Sequence, residues 1–360
     1  MSDAQADVRR LFWQTNETVC QLGGMLAEPT PRESILLGAW LGVYEMALAE
    51  LREAGLSDHL ESVAFFAIDT VIQNAWAIRS DSGVAVAISR GLVVGVADAL
   101  VGAFADIGRG DNVYPFGLVD MDDSLPDELR EALMGEVQAP GLVGDRGSIL
   151  HQLYCHIASI VIHHELGHVV RGHFDLLGGG SKGLVDEVVQ LSAVEFGNER
   201  IRFLEFDADA WALDAILQGY AGEWSAMDET ARDMMFSTAF AAIVVGQILD
   251  VGESTIDLQS KLSYPPPVWR ALFVTDLLVE EMVDLTGSER EVVAEPVFLA
   301  WSVAARVAKH LGRSEGRWRA IEQGDVEDRW QLAVYADMRA GYIDFMREFI
   351  PMTIPESDTA

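Results

Sequence analysis

The sequence predicts an α+β chain, predominantly helical, with a small β-sheet. Long segments repeat apolar residues at helical spacing between Pro and Gly punctuation. One short apolar run, Val84-Ala85-Val86-Ala87-Ile88, is flanked by Ser-Asp-Ser-Gly and Ser-Arg-Gly and reads as a strand. Half of the 360 residues are apolar, which is ample for a large buried core.

Along the chain, residues 1–28 form a short helical lead, and Pro29 and Pro31 punctuate the start of a helix that runs through Ser34-Ile35-Leu36 to about Ala54, with Gly55 at its end. Residues 62–106 are rich in Ala, Val and Ile and contain the strand. Ser124 and Pro126 mark a helix start in an acidic stretch, and Pro140-Gly141 with Gly144 and Gly147 marks a boundary. Helical spacing then resumes from Ile149 to about Phe174, followed by a loop, Leu177-Gly178-Gly179-Gly180-Ser181-Lys182-Gly183. That loop lacks the P-loop spacing and follows a helix, so it is no phosphate cradle. Another helix spans about Asn198 to Gly219, with Phe203, Phe206, Trp211, Leu213 and Ile216 as core candidates. Residues 229–250 form an apolar helix, Tyr264-Pro265-Pro266-Pro267 breaks the chain, and 268–350 read as further helices.

A net charge of −32 with only Lys182, Lys261 and Lys309 as lysines argues against nucleic acid as a partner, because phosphates are bound through clustered Lys and Arg. The most apolar stretch, Met234 to Leu249, is about 16 residues long, short of the roughly 20 needed to span a bilayer, so no integral membrane segment is expected. The start, Met1-Ser2-Asp3-Ala4, shows no secretory pattern, and the expected location is cytoplasmic. Cys20 and Cys155 are too few for a disulfide framework and are expected as free thiols.

Chemistry concentrates in His164-Glu165-Leu166-Gly167-His168. On a helix this spacing stacks both imidazoles on one face, where they can share a zinc ion while Glu165 handles a proton; the pattern points to metal-assisted hydrolysis of a peptide bond. Gly167 costs a helix up to about 1 kcal/mol against alanine, and a small residue there admits a close backbone approach. A catalytic zinc needs a third protein ligand. Glu205, 37 residues after His168, is the best candidate, and Asp209 shares its helix face one turn on while Asp207 points elsewhere. Asp209 can accept a hydrogen bond from a zinc-bound histidine, fixing its tautomer. Among the other histidines, His163 points about 100° away from His164 and reads as structural or solvent-facing. His151 and His156 read as core or helix-surface residues, and His173 as outside the metal's ligand set. Cys155 lies about 13 Å along the helix from His164, too far to join it.

HELGH followed by an E-x-x-x-D helix resembles the gluzincin metallopeptidases, in particular the HtpX and CAAX-prenyl-protease type. Asn74-Ala75-Trp76-Ala77, the strand Val84 to Ile88 and Ser89-Arg90-Gly91-Leu92 look like that family's Asn-Ala-Phe-Ala element, edge strand and Thr-Arg-Gly-Leu turn. Tyr264-Pro265-Pro266-Pro267-Val268-Trp269-Arg270 resembles its His-Pro-Pro segment, with Tyr264 where the family has histidine. The resemblance covers roughly residues 70–275. It implies a zincin-like core with an HExxH active-site helix over residues 61–285, between helical segments at 1–60 and 286–360, and an insertion around 105–147. It implies one zinc ion per chain on His164, His168 and Glu205, with Glu165 as general base. Tyr264 would stabilise the oxyanion by donating its hydroxyl proton, complemented by Arg270, and the Val84–Ile88 strand would bind a peptide or protein substrate by strand addition. The function expected is zinc-dependent endopeptidase; the alternative is a non-catalytic, zinc-stabilised sensor or binding protein on the same fold.

Overall fold

The computed structural model describes residues 12–56, 60, 63–80, 83–107, 145–176, 183–184, 198–219, 224, 226–250, 267–313, 318, 335–336 and 338–343. After a helical turn at residues 12–15, a short helix, α1 (Glu17–Gln21), is capped by the Asn16 side chain, which accepts from the Val19 amide. Thr30 opens α2 (Pro31–Glu53) with a reciprocal cap: its hydroxyl accepts from the Glu33 amide, and the Glu33 carboxylate accepts from the Thr30 amide. Pro31 in the first turn has no amide to leave unpaired, so the helix begins there, three residues before Ser34.

The strands are β1 (Ala64–Ile68), β2 (Ala75–Ser80) and β3 (Gly83–Ser89). A two-residue strand, β4 (Gly183–Leu184), joins them to give the order β1-β3-β2-β4. β3 runs parallel to β1, with Ala64 opposite Ala85, and antiparallel to β2, with Ala75 opposite Ile88. The expected strand is therefore present with one residue added at each end, but its place corrects the resemblance. β3 lies inside the sheet, both of its hydrogen-bonding sides are used, and no substrate strand can add to it. Its run of five buried residues, Ala85 to Ser89, is what an interior strand between two covered faces requires. Side chains alternate across it. Ala85 and Ala87 meet Trp13, Val19 and Phe66 on one face, while Val86 and Ile88 enter the main core on the other.

Ser89 ends β3 and starts α3 (Arg90–Ile107): its buried hydroxyl accepts from the amides of Asn74 and Leu92. The next described helix, α4 (Asp145–Val170), holds the HELGH segment and is the centre of the molecule. It touches α2, α3, β2 and β3, and then α5 (His173–Leu176), α6 (Asn198–Gln218) and α7 (Glu229–Leu249). Of the glycine-rich loop, residues 177–182 lie outside the described residues, as do residues 108–144 of the expected insertion and the Ser124–Pro126 helix start.

α7 starts where Asp228 accepts from the Ala231 amide and is buried on nearly every side, from Met234 to Val244 without a break. Both α2 and α7 are long and apolar enough to cross a bilayer by length and composition, but 89% of α7's apolar window is covered by the fold, against 39% of α2's. Pro267 begins α8 (Pro267–Thr286) and α9 (Arg290–His310) packs on α7. One apolar core runs from Leu36 through Trp40, Tyr154, Phe206, Phe240 and Trp269 to Tyr342, so residues of all three sequence segments are buried together.

Candidate metal centre

Gly167 sets how closely α6 lies on α4. A β-carbon there would come within 3.3 Å of the Ala208 Cα and 3.1 Å of the Trp211 ring, tighter than ordinary packing. The glycine therefore admits the backbone of the second helix, and Glu205 and Asp209, flanking Ala208, are carried up to the histidine face. His164 Nε2 and His168 Nε2 are 3.1 Å apart. Glu205 presents Oε2 at 3.4 Å from His164 Nε2 and Oε1 at 3.6 Å from His168 Nε2. Four ligands about 2.0–2.1 Å from a tetrahedral zinc ion stand roughly 3.3 Å from one another. The three side chains thus describe one face of such a tetrahedron, and one ligand atom from each lies within 4.8 Å of the others. All three are buried, and Glu205 Oε1 has no hydrogen-bond partner, a costly arrangement unless a cation meets it. The donor set and the unsatisfied oxygen both fit zinc.

Asp209 supports this face from behind. Its Oδ1 is 2.8 Å from His164 Nδ1, which directs His164 Nε2 toward Glu205 and His168. Arg270, arriving from α8, donates to both Asp209 oxygens at 2.8 and 2.6 Å, and its Nη1 is 3.2 Å from Glu205 Oε2. Its Nη2 also lies 3.1 and 3.2 Å from the His164 ring nitrogens, a contact between two groups that can both be cationic and that the two carboxylates offset. Burial raises the Asp209 pKa, but Arg270 and His164 outweigh it and hold the carboxyl at about 2. Burial and Arg270 likewise push His164 toward losing its proton, yet Asp209 and Glu205 together raise it to about 9. His168 is driven well below its ordinary value by burial first and then by the charges of His164, His173 and Arg270.

The end of α4 corrects one detail of the sequence reading. The helix stops at Val170, and Gly172 takes a φ of +69°, a left-handed turn that lets the chain fold back. His173 then meets the helix it has just left: its Nδ1 is 2.8 Å from His168 Nδ1. It is not one of the three convergent side chains, but it touches one of them. Its Nε2 is 2.9 Å from Asp207 Oδ2, and Asp207 receives Arg171 Nε at 2.8 Å, Arg171 Nη2 at 3.1 Å and the Tyr342 hydroxyl at 3.4 Å. Burial raises the Asp207 carboxyl pKa, and His173 and Arg171 more than reverse it. Asp207 does point away from Glu205 and Asp209, toward this second group. Sequence spacing missed Arg171, His173 and Asp207 as a set; the one available signal was Gly172, a glycine placed to end the helix.

Glu165 is buried on α4 beside His164. Tyr264 lies outside the described residues. His163 is buried rather than solvent-facing, its Nδ1 2.9 Å from the Ser159 carbonyl and its Nε2 3.9 Å from Glu50. His151 is bound to Cys155 at 3.2 Å. Burial pushes the Cys155 thiol up to about 12, and both cysteines are free. Phe206, Leu213 and Ile216 are core residues, with Phe203 and Trp211 packed against them.

Comparison with known proteins gives no relative: no family model matches the chain, and neither the curated proteins nor the solved structures yield a match.

Proposed function

We propose that this chain is a zinc-dependent endopeptidase of gluzincin type, built on a zincin-like core. The observation that carries the reading is the convergence of His164 Nε2, His168 Nε2 and the Glu205 carboxylate at the spacing of a tetrahedral face, with Glu205 Oε1 buried and unsatisfied. His164, His168 and Glu205 would hold the zinc ion, which would supply Lewis-acid chemistry and acidify water at the site. Glu165 takes a proton from the attacking water and returns it to the leaving amine, the general acid–base work that its place beside His164 allows. Asp209 orients His164 and keeps its Nε2 turned inward. Arg270 holds Asp209 and Glu205 in register. The burial of every member strengthens these electrostatic contacts.

The test pairs metal content with turnover. Purified wild-type chain should carry one zinc per chain and cleave an unfolded protein such as reduced casein. Glu165→Gln should keep the zinc and lose at least 100-fold in cleavage, and Glu205→Gln should lose both. With free zinc about 100-fold above its Kd, bound metal adds roughly 2.7 kcal/mol of stability, so a chelator should lower the wild-type Tm and leave Glu205→Gln unmoved. Cleavage retained by Glu165→Gln would overturn the mechanism, and zinc uptake without cleavage would favour a binding or sensor protein.

A further inference from the structure

We infer, resting on the zinc-site reading, that Arg270 is the positioning residue that decides which oxygen of Glu205 meets the metal. It holds Oε2, leaves Oε1 as the single carboxylate ligand, and so keeps one coordination position open for water. The two oxygens of this buried side chain are unequal. Oε2 stands 3.2 Å from Arg270 Nη1, whereas Oε1 has no hydrogen-bond partner. Distance to the imidazoles does not separate them, since Oε2 is 3.4 Å from His164 Nε2 and Oε1 is 3.6 Å from His168 Nε2. Either oxygen is near enough to take a cation, and both together can grip one, as carboxylates do when they bind bidentate. The guanidinium breaks that equivalence. It neutralises Oε2, while a metal at Oε1 supplies the partner that this oxygen lacks.

Arg270 is itself held in place. It is buried in the first turn of α8, and its Nε and Nη2 donate to the two oxygens of Asp209 at 2.8 and 2.6 Å. That pairing uses one side of the planar fork and leaves Nη1 for Glu205. Glu205 and Asp209 lie one turn apart on α6, so a single guanidinium spans both. Because a guanidinium keeps its charge in a protein, the assignment holds whichever imidazole carries a proton. Two imidazoles and one carboxylate oxygen make three ligands, the number that leaves a fourth position for water, and a second oxygen from Glu205 would compete for it.

The experiment uses the full chain loaded with zinc or cobalt(II) alone. X-ray absorption at the zinc edge counts the ligands, and the visible bands of cobalt(II) weaken as coordination rises from four to five. We expect a four-coordinate wild type with one oxygen from Glu205. Arg270→Met frees Oε2, and its cobalt(II) bands should fall about twofold or more as the site expands to five ligands. Asp209→Asn leaves the guanidinium on Glu205 and should keep the four-coordinate spectrum, whatever it loses in affinity. A merely structural role for Arg270, tying α8 to α6 through Asp209, would not separate these two variants. A bidentate Glu205 in the wild type, an unchanged spectrum in Arg270→Met, or the same change in Asp209→Asn overturns the assignment. If Arg270→Met does not fold, the wild-type ligand count and the Arg270→Met, Asp209→Asn double variant decide, the double variant being expected to show five ligands. Zinc bound with both oxygens of Glu205 sinks the role of Arg270 alone, whereas a wild type that takes up no zinc fails the zinc-site reading and this role with it.

Discussion

Ala208 presents its Cα 3.3 Å from the point where a β-carbon on Gly167 would lie, so the backbones of α4 and α6 meet at the one position of HELGH that has no side chain. That contact decides how far Glu205 reaches. It sits three residues before Ala208 in α6, and any outward shift of the helix carries its carboxylate away from both histidines.

Substituting Gly167 should therefore damage the metal site more than the fold. Gly167→Ala gains up to about 1 kcal/mol of helix propensity while forcing neighbours at 3.1 and 3.3 Å to give way. We expect little change in Tm and at least a tenfold loss of zinc affinity. Gly167→Val, with two more carbons in the same space, should lower both. Calorimetry and chelator competition measure the two effects, and unchanged zinc affinity in Gly167→Val would contradict the argument.

Arg270 and Asp209 form a buried pair whose halves depend on each other. Arg270→Met strips Asp209 of two charge-assisted hydrogen bonds and leaves a buried anion, which costs about 3–5 kcal/mol when a partner is removed. Adding Asp209→Asn removes that charge, so the double variant should be more stable than Arg270→Met alone. Urea unfolding of the metal-free proteins gives the cycle; additive losses would show that the pair is not coupled.

His156 gives the fold a specific acid lability. Burial holds its pKa down to about 4, against an ordinary value near 6.5. Between these values the unfolded chain binds a proton that the folded chain refuses, so this group costs no stability above pH 6.5 and an increasing amount as pH drops toward 4. At pH 5 the loss is about 2 kcal/mol from this group. His151 and His163, also lowered by burial, add to it in the same direction. His156→Leu should shrink the drop in the urea midpoint between pH 7 and pH 5; the same drop in both proteins would exclude His156 as its source.

The helices were legible because their signals are local. Pro31, Pro267 and Gly55 bracket them, and the strand from Val84 to Ile88 stood out between its turn residues. β1 and β2 did not, since Ala64–Ile68 and Ala75–Ser80 are short and neither alternates cleanly between apolar and polar residues. The parallel pairing of β1 with β3 joins strands that are not consecutive, and it turned an expected edge strand into an interior one. At the site, His164, His168, Glu205 and Asp209 could be read from one-turn spacing alone, because a helix fixes which residues share a face. Arg270 was reached through resemblance, and its bidentate hold on Asp209 came only with the packing of α8 against α6.

By itself, then, the sequence determined the elements and the faces they offer: a helix with two imidazoles in line, another with two carboxylates one turn apart, and a glycine where they could touch. Tertiary structure alone decided which faces meet and what stands behind them. His173 and Asp207 are the clearest case. Helical spacing continued through Gly172 sends His173 away from His168, whereas the left-handed φ of Gly172 brings the two rings to 2.8 Å and puts Asp207, 34 residues further on, within reach of the second. The reason is physical: hydrogen bonding and side-chain periodicity within a helix are set by neighbours in the chain, but the approach of α6 to α4 is set by how closely two backbones can pack.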